Sequence, residues 1–298
     1  MARIGENLNV RMSKIGKAMK ERDPVPIRDM VERIAEKGVD YIDINMGPAP
    51  KDGPELMPWL INICQEVAPE IPLALDTTNM RAIEAGLPVC KNRPIINSIM
   101  ARPERMETLI PLAAQYEADF IALLWGPSGM PRDENERAEH TVTLLSAAME
   151  QGIPGERVWV DPIVTPVNVQ QQQVKACLDF MAMLKDIAEG MGTEGVKSTC
   201  GLSNVSNGAP EPLRPILNQT YMIMLGKNGM YSAIVDAFDD EMASICKGGM
   251  ERIRELVGNV MDGVEPDMGS LSKEETDYVK TTKILLGQSL YSDSWLEL

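Results

Sequence analysis

The chain has 298 residues, with 44 acidic against 29 basic side chains and a formal net charge of −15. A surface this acidic repels nucleic acid and anionic membranes, and no run of about 18 apolar residues is present to span a bilayer. The single histidine and five scattered cysteines exclude a Ser-His-Asp triad, a multi-histidine metal site, a CxxC redox pair and zinc-site spacing, which leaves chemistry to carboxylates, amides or a partner's cofactor.

The N-terminal MARIGENLNV enters a strand-like run at once without a signal-peptide pattern, so the expected location is cytoplasmic. Strands are predicted at Arg3 to Glu6, Tyr41 to Asn45, Leu73 to Asp76, Ile95 to Ser98, Phe120 to Leu124, Val158 to Asp161, Lys197 to Leu202 and Ala233 to Asp236. Amphipathic segments separate them. Asp23 caps and Pro24 opens the first long helix, which carries Val31, Ile34 and Ala35 on one face and stops at Gly38. Trp59, Leu60, Ile63 and Val67 mark the next. Met106, Leu109, Ile110 and Ala113 mark another, where Pro111 is expected to introduce a kink. In RDENERAEHTVTLLSAAM the apolar stripe reads Ala138, Val142, Leu145 and Met149, which leaves His140 as a solvated helix residue. Val174, Leu178, Met181 and Leu184 follow a run of four glutamines. A helix is expected from about Asp240 to Val260, then an exposed connection, MDGVEPDMGSLSKEE, and a last helix from Glu274 to Leu286 before the GQSLYSDSWLEL tail. This segment, about 240–298, exceeds what an eighth barrel helix needs. It reads equally as a dimer or partner surface and as packing across the barrel bottom.

Alternating strands and helices at this spacing predict an α/β fold, one (β/α)8 TIM barrel over residues 1–298. The strands end in GENLN, DIN, LDTTN, INS, LLW, VDP, GLSN and VDAFD. Seven of these eight apolar runs finish on a polar side chain, and a barrel gathers all such ends at one mouth. Asn7, Asn9, Asp43, Asn45, Asp76, Asn97, Asp161, Asn204 and Asp236 are therefore expected around one cavity. Each alone is an ordinary helix cap or turn former. Together they supply acceptors and paired donors with little positive charge, which suits a flat neutral heterocycle edged with N–H and C=O groups. A pterin and a sugar both fit that description. A phosphate does not, because no Gly-rich loop with a basic cluster is present.

The runs IGENLN, DINMGP, LDTTNMRAIEAGL, INS, VDP and GLSNVSN, in this order and over nearly the whole chain, resemble the pterin-binding methyltransferases of anaerobic one-carbon metabolism. That family includes the methyltetrahydrofolate:corrinoid iron–sulfur protein methyltransferase. The resemblance implies a dihydropteroate-synthase-like TIM barrel, usually homodimeric. It implies methyl transfer between N5 of tetrahydrofolate and the cobalt of a corrinoid (cobalamin) carried by a partner protein, with no metal bound by this chain. Residue by residue, it implies that Asp76, Asn97 and Asp161 grip the pterin, that Gly201 and Ser203 line its other side, and that Asn204 acts catalytically at N5. Arg214 matches the family's arginine near the folate, whereas Asn207 stands where the family tends to have Gln. Asn7, Asn9, Asp43, Asn45 and Asp236 are left as supports. The long chain between VDAFD and YSDSW resembles relatives from O-demethylase and methylamine/betaine systems, which methylate tetrahydrofolate. Three alternatives stay open: transfer from methyltetrahydrofolate to a corrinoid iron–sulfur protein, dihydropteroate synthesis, and a non-catalytic folate-binding subunit.

Overall fold

Eight parallel strands form the centre of the molecule: β1 (Ala2–Asn9), β2 (Tyr41–Gly47), β3 (Leu73–Thr77), β4 (Ile95–Met100), β5 (Asp119–Leu123), β6 (Val158–Asp161), β7 (Lys197–Ser198) and β8 (Ser232–Val235). The structure, a computed structural model, describes residues 1–47 and 51–297. Pro48 of the DINMGP run and the terminal Leu298 lie outside the described residues. Strand order is β7-β6-β5-β4-β3-β2-β1-β8. The two ends meet where Ile234 N–H donates to the Cys200 carbonyl at 2.8 Å, so the sheet closes on itself.

Helices α1 (Ser13–Glu21), α2 (Pro24–Glu36), α3 (Gly53–Val67), α4 (Met80–Gly86), α5 (Pro103–Gln115), α6 (Glu134–Glu150), α7 (Val167–Gly190) and α8 (Arg214–Lys227) surround the sheet. Asp23 caps α2 as expected, accepting from Val25 N–H, with Pro24 in the first turn and Gly38 beyond the end at φ +63°. The chain then adds α9 (Asp240–Cys246), α10 (Glu251–Met261) and α11 (Lys273–Leu285).

Four expectations need correction. The helix foreseen from Asp240 to Val260 is two helices. Gly248 at φ +89° breaks it, and Gly249 passes so close to Ser244 that a Cβ there would lie 2.1 Å from the Ser244 hydroxyl. Of the added helices, α11 packs against α7, α8 and α10, and α9 contacts β1. The buried stripe of α6 is Arg137, Thr141, Leu144, Leu145 and Ala148, while Val142 and Met149 are exposed. A buried arginine and threonine disguised that face. The Arg137 guanidinium is satisfied by the Pro162 and Asp133 carbonyls and by Gln173. His140 is accordingly half-buried rather than solvated: its ring lies where a Cβ on Gly126 would need to be. Finally, β7 pairs over two residues only, and Leu202–Ser206 coils into a 3-10 turn at the mouth.

Inside the barrel, Ile4, Ala74, Ile95, Ile121 and Trp159 are fully buried and contact Tyr41 and Ile234. These seven residues come from seven different strands, so they form one layer across the barrel. Trp159 fills its centre. The indole N–H donates to Asp119 at 2.9 Å, and Tyr41 and Tyr231 meet the ring edge-on at 5.3 and 5.2 Å. The N-terminal end of the barrel is therefore plugged.

Candidate functional site

Side chains alternate along a strand, so the residue two beyond each plug residue also faces the barrel axis, one layer nearer the mouth. Counting on from Ile4, Tyr41, Ala74, Ile95, Trp159 and Ile234 gives Glu6, Asp43, Asp76, Asn97, Asp161 and Asp236. An apolar layer is thus roofed by a polar one. Above it opens a cavity of about 920 Å³. All thirteen residues expected at the site line it: Asn7, Asn9, Asp43, Asn45, Asp76, Asn97, Asp161, Gly201, Ser203, Asn204, Asn207, Arg214 and Asp236. The structure also brings in Glu6, Arg11, Met12, Thr77, Thr78, Ser98, Met100 and Leu123, which sequence reasoning missed.

Asp43 and Asp76 form a hydrogen-bonded carboxyl pair. Burial, then the negative charge of Asp76, push Asp43 well above the usual carboxylate range. Burial also raises Asp76, to about 6, against the lowering effect of the bond from Asp43, the nearby Arg11 and the Asn45 amide. Asn97 Nδ2 donates to Asp43 at 3.0 Å. Asn45 Nδ2 donates to Asp76, and its oxygen accepts from Gly47 N–H at 3.0 Å. The Asn97–Ser98 peptide is cis.

On the facing strand, Asp161 is 8% exposed. One carboxylate oxygen accepts from Ile163 N–H at 2.8 Å. Burial pushes Asp161 up to about 7, moderated by that bond and by Arg137 behind it. Asn7 donates to Asp236 at 2.8 Å and accepts from Ala237 N–H, while Asn9 accepts from Arg11 N–H at 2.9 Å. Both therefore spend their side chains on holding loops. The 3-10 turn presents Ser203 and Asn204, and Asn207 donates to the Asn204 oxygen at 3.1 Å. That leaves the Asn204 NH2 directed elsewhere. Arg214, at the first turn of α8, donates to Ser206 at 3.2 Å. Among the described residues no group of three or more His, Cys, Asp or Glu is placed to hold a metal ion.

A sequence profile described as pterin binding enzyme matches residues 5–236. The chain belongs to this family of pterin-binding enzymes. Within the family, it is 31% identical over 241 residues to the methylcorrinoid:tetrahydrofolate methyltransferase of Eubacterium limosum, covering 80% of this chain and 86% of that one. This kinship makes the pterin-binding enzyme described here a methyltransferase. The methionine synthase of Mycobacterium leprae (strain TN) is 25% identical over 242 residues, 78% of this chain and 20% of that larger protein. Two solved dihydropteroate synthases share the fold at low identity. The Thermus thermophilus enzyme gives a TM-score of 0.55 at 15% identity over 81% of this chain and 92% of its own. The Xanthomonas albilineans enzyme gives 0.57 at 19% identity over 81% and 91%. No helix among the described residues is long and apolar enough to cross a membrane.

Proposed function

We propose that this methyltransferase moves a methyl group from the cobalt of a methyl-corrinoid protein to N5 of tetrahydrofolate, forming 5-methyltetrahydrofolate. The observation that carries this reading is one cavity in which Asp76, Asn97 and Asp161 face the Ser203–Asn204 turn. The carboxylates offer acceptors to the pterin's ring N–H and 2-amino group, and the Asn97 amide can answer its 4-oxo group. On this reading the Asn204 amide, which lines the same cavity, is assigned to N5. Arg214 is assigned to the folate as the family's arginine, and Asn207 orients Asn204. The direction is supported by the likeness to the Eubacterium limosum methylcorrinoid:tetrahydrofolate methyltransferase.

The reaction is an in-line displacement at carbon, with N5 as nucleophile and cobalt as leaving group. The methyl group arrives on the partner's corrinoid, which supplies the cobalt chemistry. This chain needs no nucleophile of its own. It must hold the pterin, align N5 with the mouth and keep water from the reacting atoms. Alignment of two bound reactants can supply up to about 7–11 kcal/mol of barrier lowering. Asn204 stabilises charge as it develops at N5.

The reading extends to a single pterin-binding barrel domain over residues 1–298, a homodimer, a cytoplasmic location, and a corrinoid partner from an O-demethylase or methylamine/betaine-type system. Mixing the protein with methylcobalamin and tetrahydrofolate should convert the methylcobalamin spectrum to that of reduced cobalamin and yield 5-methyltetrahydrofolate. Tight folate binding without conversion by any corrinoid donor would favour a non-catalytic subunit. Formation of dihydropteroate would favour synthase chemistry, although a diphosphate substrate wants a basic cluster and the bases lining this cavity are Arg11 and Arg214.

A further inference from the structure

Glu6 has a different setting from the other acids on the cavity floor. Asp43 and Asp76 are paired with each other and held by Asn97 and Asn45, and Asp161 is bound to Ile163. Among the described residues, Glu6 has one hydrogen-bond partner: the Ser203 hydroxyl, 3.3 Å from Oε2. Ser203 directly precedes Asn204. Glu6 also stands between two chambers. Besides the main cavity it lines a side chamber of about 250 Å³ with Ser203, Arg214, Asn218, Asp236 and Asp239, which ends at the exposed Glu211 and Pro215. Among the described residues the buried Asn218 Oδ1 has no partner, so this polar chamber suits water, each molecule of which takes ~30 Å³ in the liquid.

Attack by N5–H on the methyl carbon forms the N–C bond as the C–Co bond breaks. Both electrons of that bond stay on cobalt, taking it from Co(III) to Co(I). N5 is left as an ammonium that must lose its proton. A corrinoid protein seated on the mouth would cover the direct path to solvent, and the side chamber reaches the surface separately at Glu211 and Pro215, beside the first turn of α8.

Resting on the methyl-transfer reading above, we propose that Glu6 takes up the N5 proton through Ser203 and water, and passes it to solvent by the side chamber. The charged groups that face Glu6 or share its chambers are Asp43 and Asp76 from β2 and β3, Arg11 after β1, Asp236 and Asp239 after β8, Glu211, and Arg214 from α8. Burial, with a smaller contribution from Asp236 and against Ser203 and Arg214, pushes Glu6 up to about 7. A carboxyl poised there can accept and release a proton near neutrality.

Single-turnover methylation of tetrahydrofolate at saturating folate is the test, because saturation removes pH effects on binding. The wild-type rate should rise with pH through an inflection near 7. Glu6→Gln should lose the inflection and run roughly 100-fold slower at pH 8, the low end for a lost acid–base group, with folate affinity changed less than about twofold. Glu6→Asp should keep the inflection at a reduced rate. If Glu6→Gln keeps the inflection or the full rate, or loses affinity in proportion to rate, the proposal fails. A wild-type protein that makes no 5-methyltetrahydrofolate would instead sink the methyl-transfer reading itself.

Discussion

If Asp161 grips the pterin as proposed, it couples ligand binding to pH. Its carboxyl is raised to about 7 because it is buried with a single hydrogen-bonded backbone partner. Pterin N–H donors favour the ionised form, so below pH 7 binding must first expel a proton. Tetrahydrofolate affinity should therefore tighten as pH rises from 6 to 8, by up to about tenfold per unit below the pKa. Asp161→Asn should abolish that slope in calorimetry and weaken binding roughly 10- to 150-fold, the equivalent of about 1.5–3 kcal/mol for a charged hydrogen bond. Asn204 belongs to a different step. Asn204→Ala should lower kcat about 10²- to 10³-fold, as loss of one transition-state donor does, while folate affinity moves little. Equal losses in both would contradict the N5 role. Glu6 was legible in principle. It is two residues beyond Ile4 and so on the same face of β1, but the GENLN run offered Asn7 and Asn9 as more familiar mouth residues, and those turned out to brace loops.

At the scale of elements, the grip depends on loops held from behind. Arg105 on α5 is 8% exposed. Its guanidinium donates to the Thr78 carbonyl at 2.7 Å and the Ser98 carbonyl at 2.8 Å, tying the ends of β3 and β4 together beside Asp76 and Asn97. Arg105→Ala should leave both carbonyls unpaired, cost about 2–4 kcal/mol in urea unfolding, and loosen folate binding more than it lowers kcat. An unchanged folate affinity would mean that the loops hold themselves. Strands β1 to β6 and β8 were readable as apolar runs because parallel strands are buried on both faces. Helix faces were less so. The stripe of α6 hides behind Arg137 and Thr141, whose polarity is satisfied by carbonyls that only the folded chain supplies. The break at Gly248–Gly249 depends on contact with Ser244, and β7 is cut short by a turn that serves the site.

For the whole molecule, several acids share one thermodynamic tendency. Glu6, Asp76 and Asp161 sit at about 7, 6 and 7 in the fold against ordinary values of 4.5, 3.8 and 3.8. Between about pH 4 and pH 7 the folded chain keeps protons that the unfolded chain has released, so their contribution to stability falls as pH rises through that window. Above pH 7 it levels off. The melting temperature of the folate-free protein should thus decline from pH 5 toward pH 8, and Asp161→Asn should flatten part of the slope. A wild-type curve no steeper than the mutant's would refute the linkage. The barrel and its ring of polar strand ends followed from the alternation and spacing of strands and helices and from the polar residues that close the apolar runs. Which members of the ring face inward depended on register.

The Trp159 layer also dictates traffic. With one end of the barrel sealed, both reactants of the proposed transfer would enter from the mouth end. On that reading folate fills the cavity and the corrinoid protein sits over it, so arrival should be sequential: folate first, corrinoid protein second. A corrinoid protein that lands on the empty enzyme blocks the way in, and excess partner should slow turnover in a manner that more tetrahydrofolate relieves. Steady-state kinetics would then show compulsory order, set by an indole ring at the far end of the barrel from the reacting atoms.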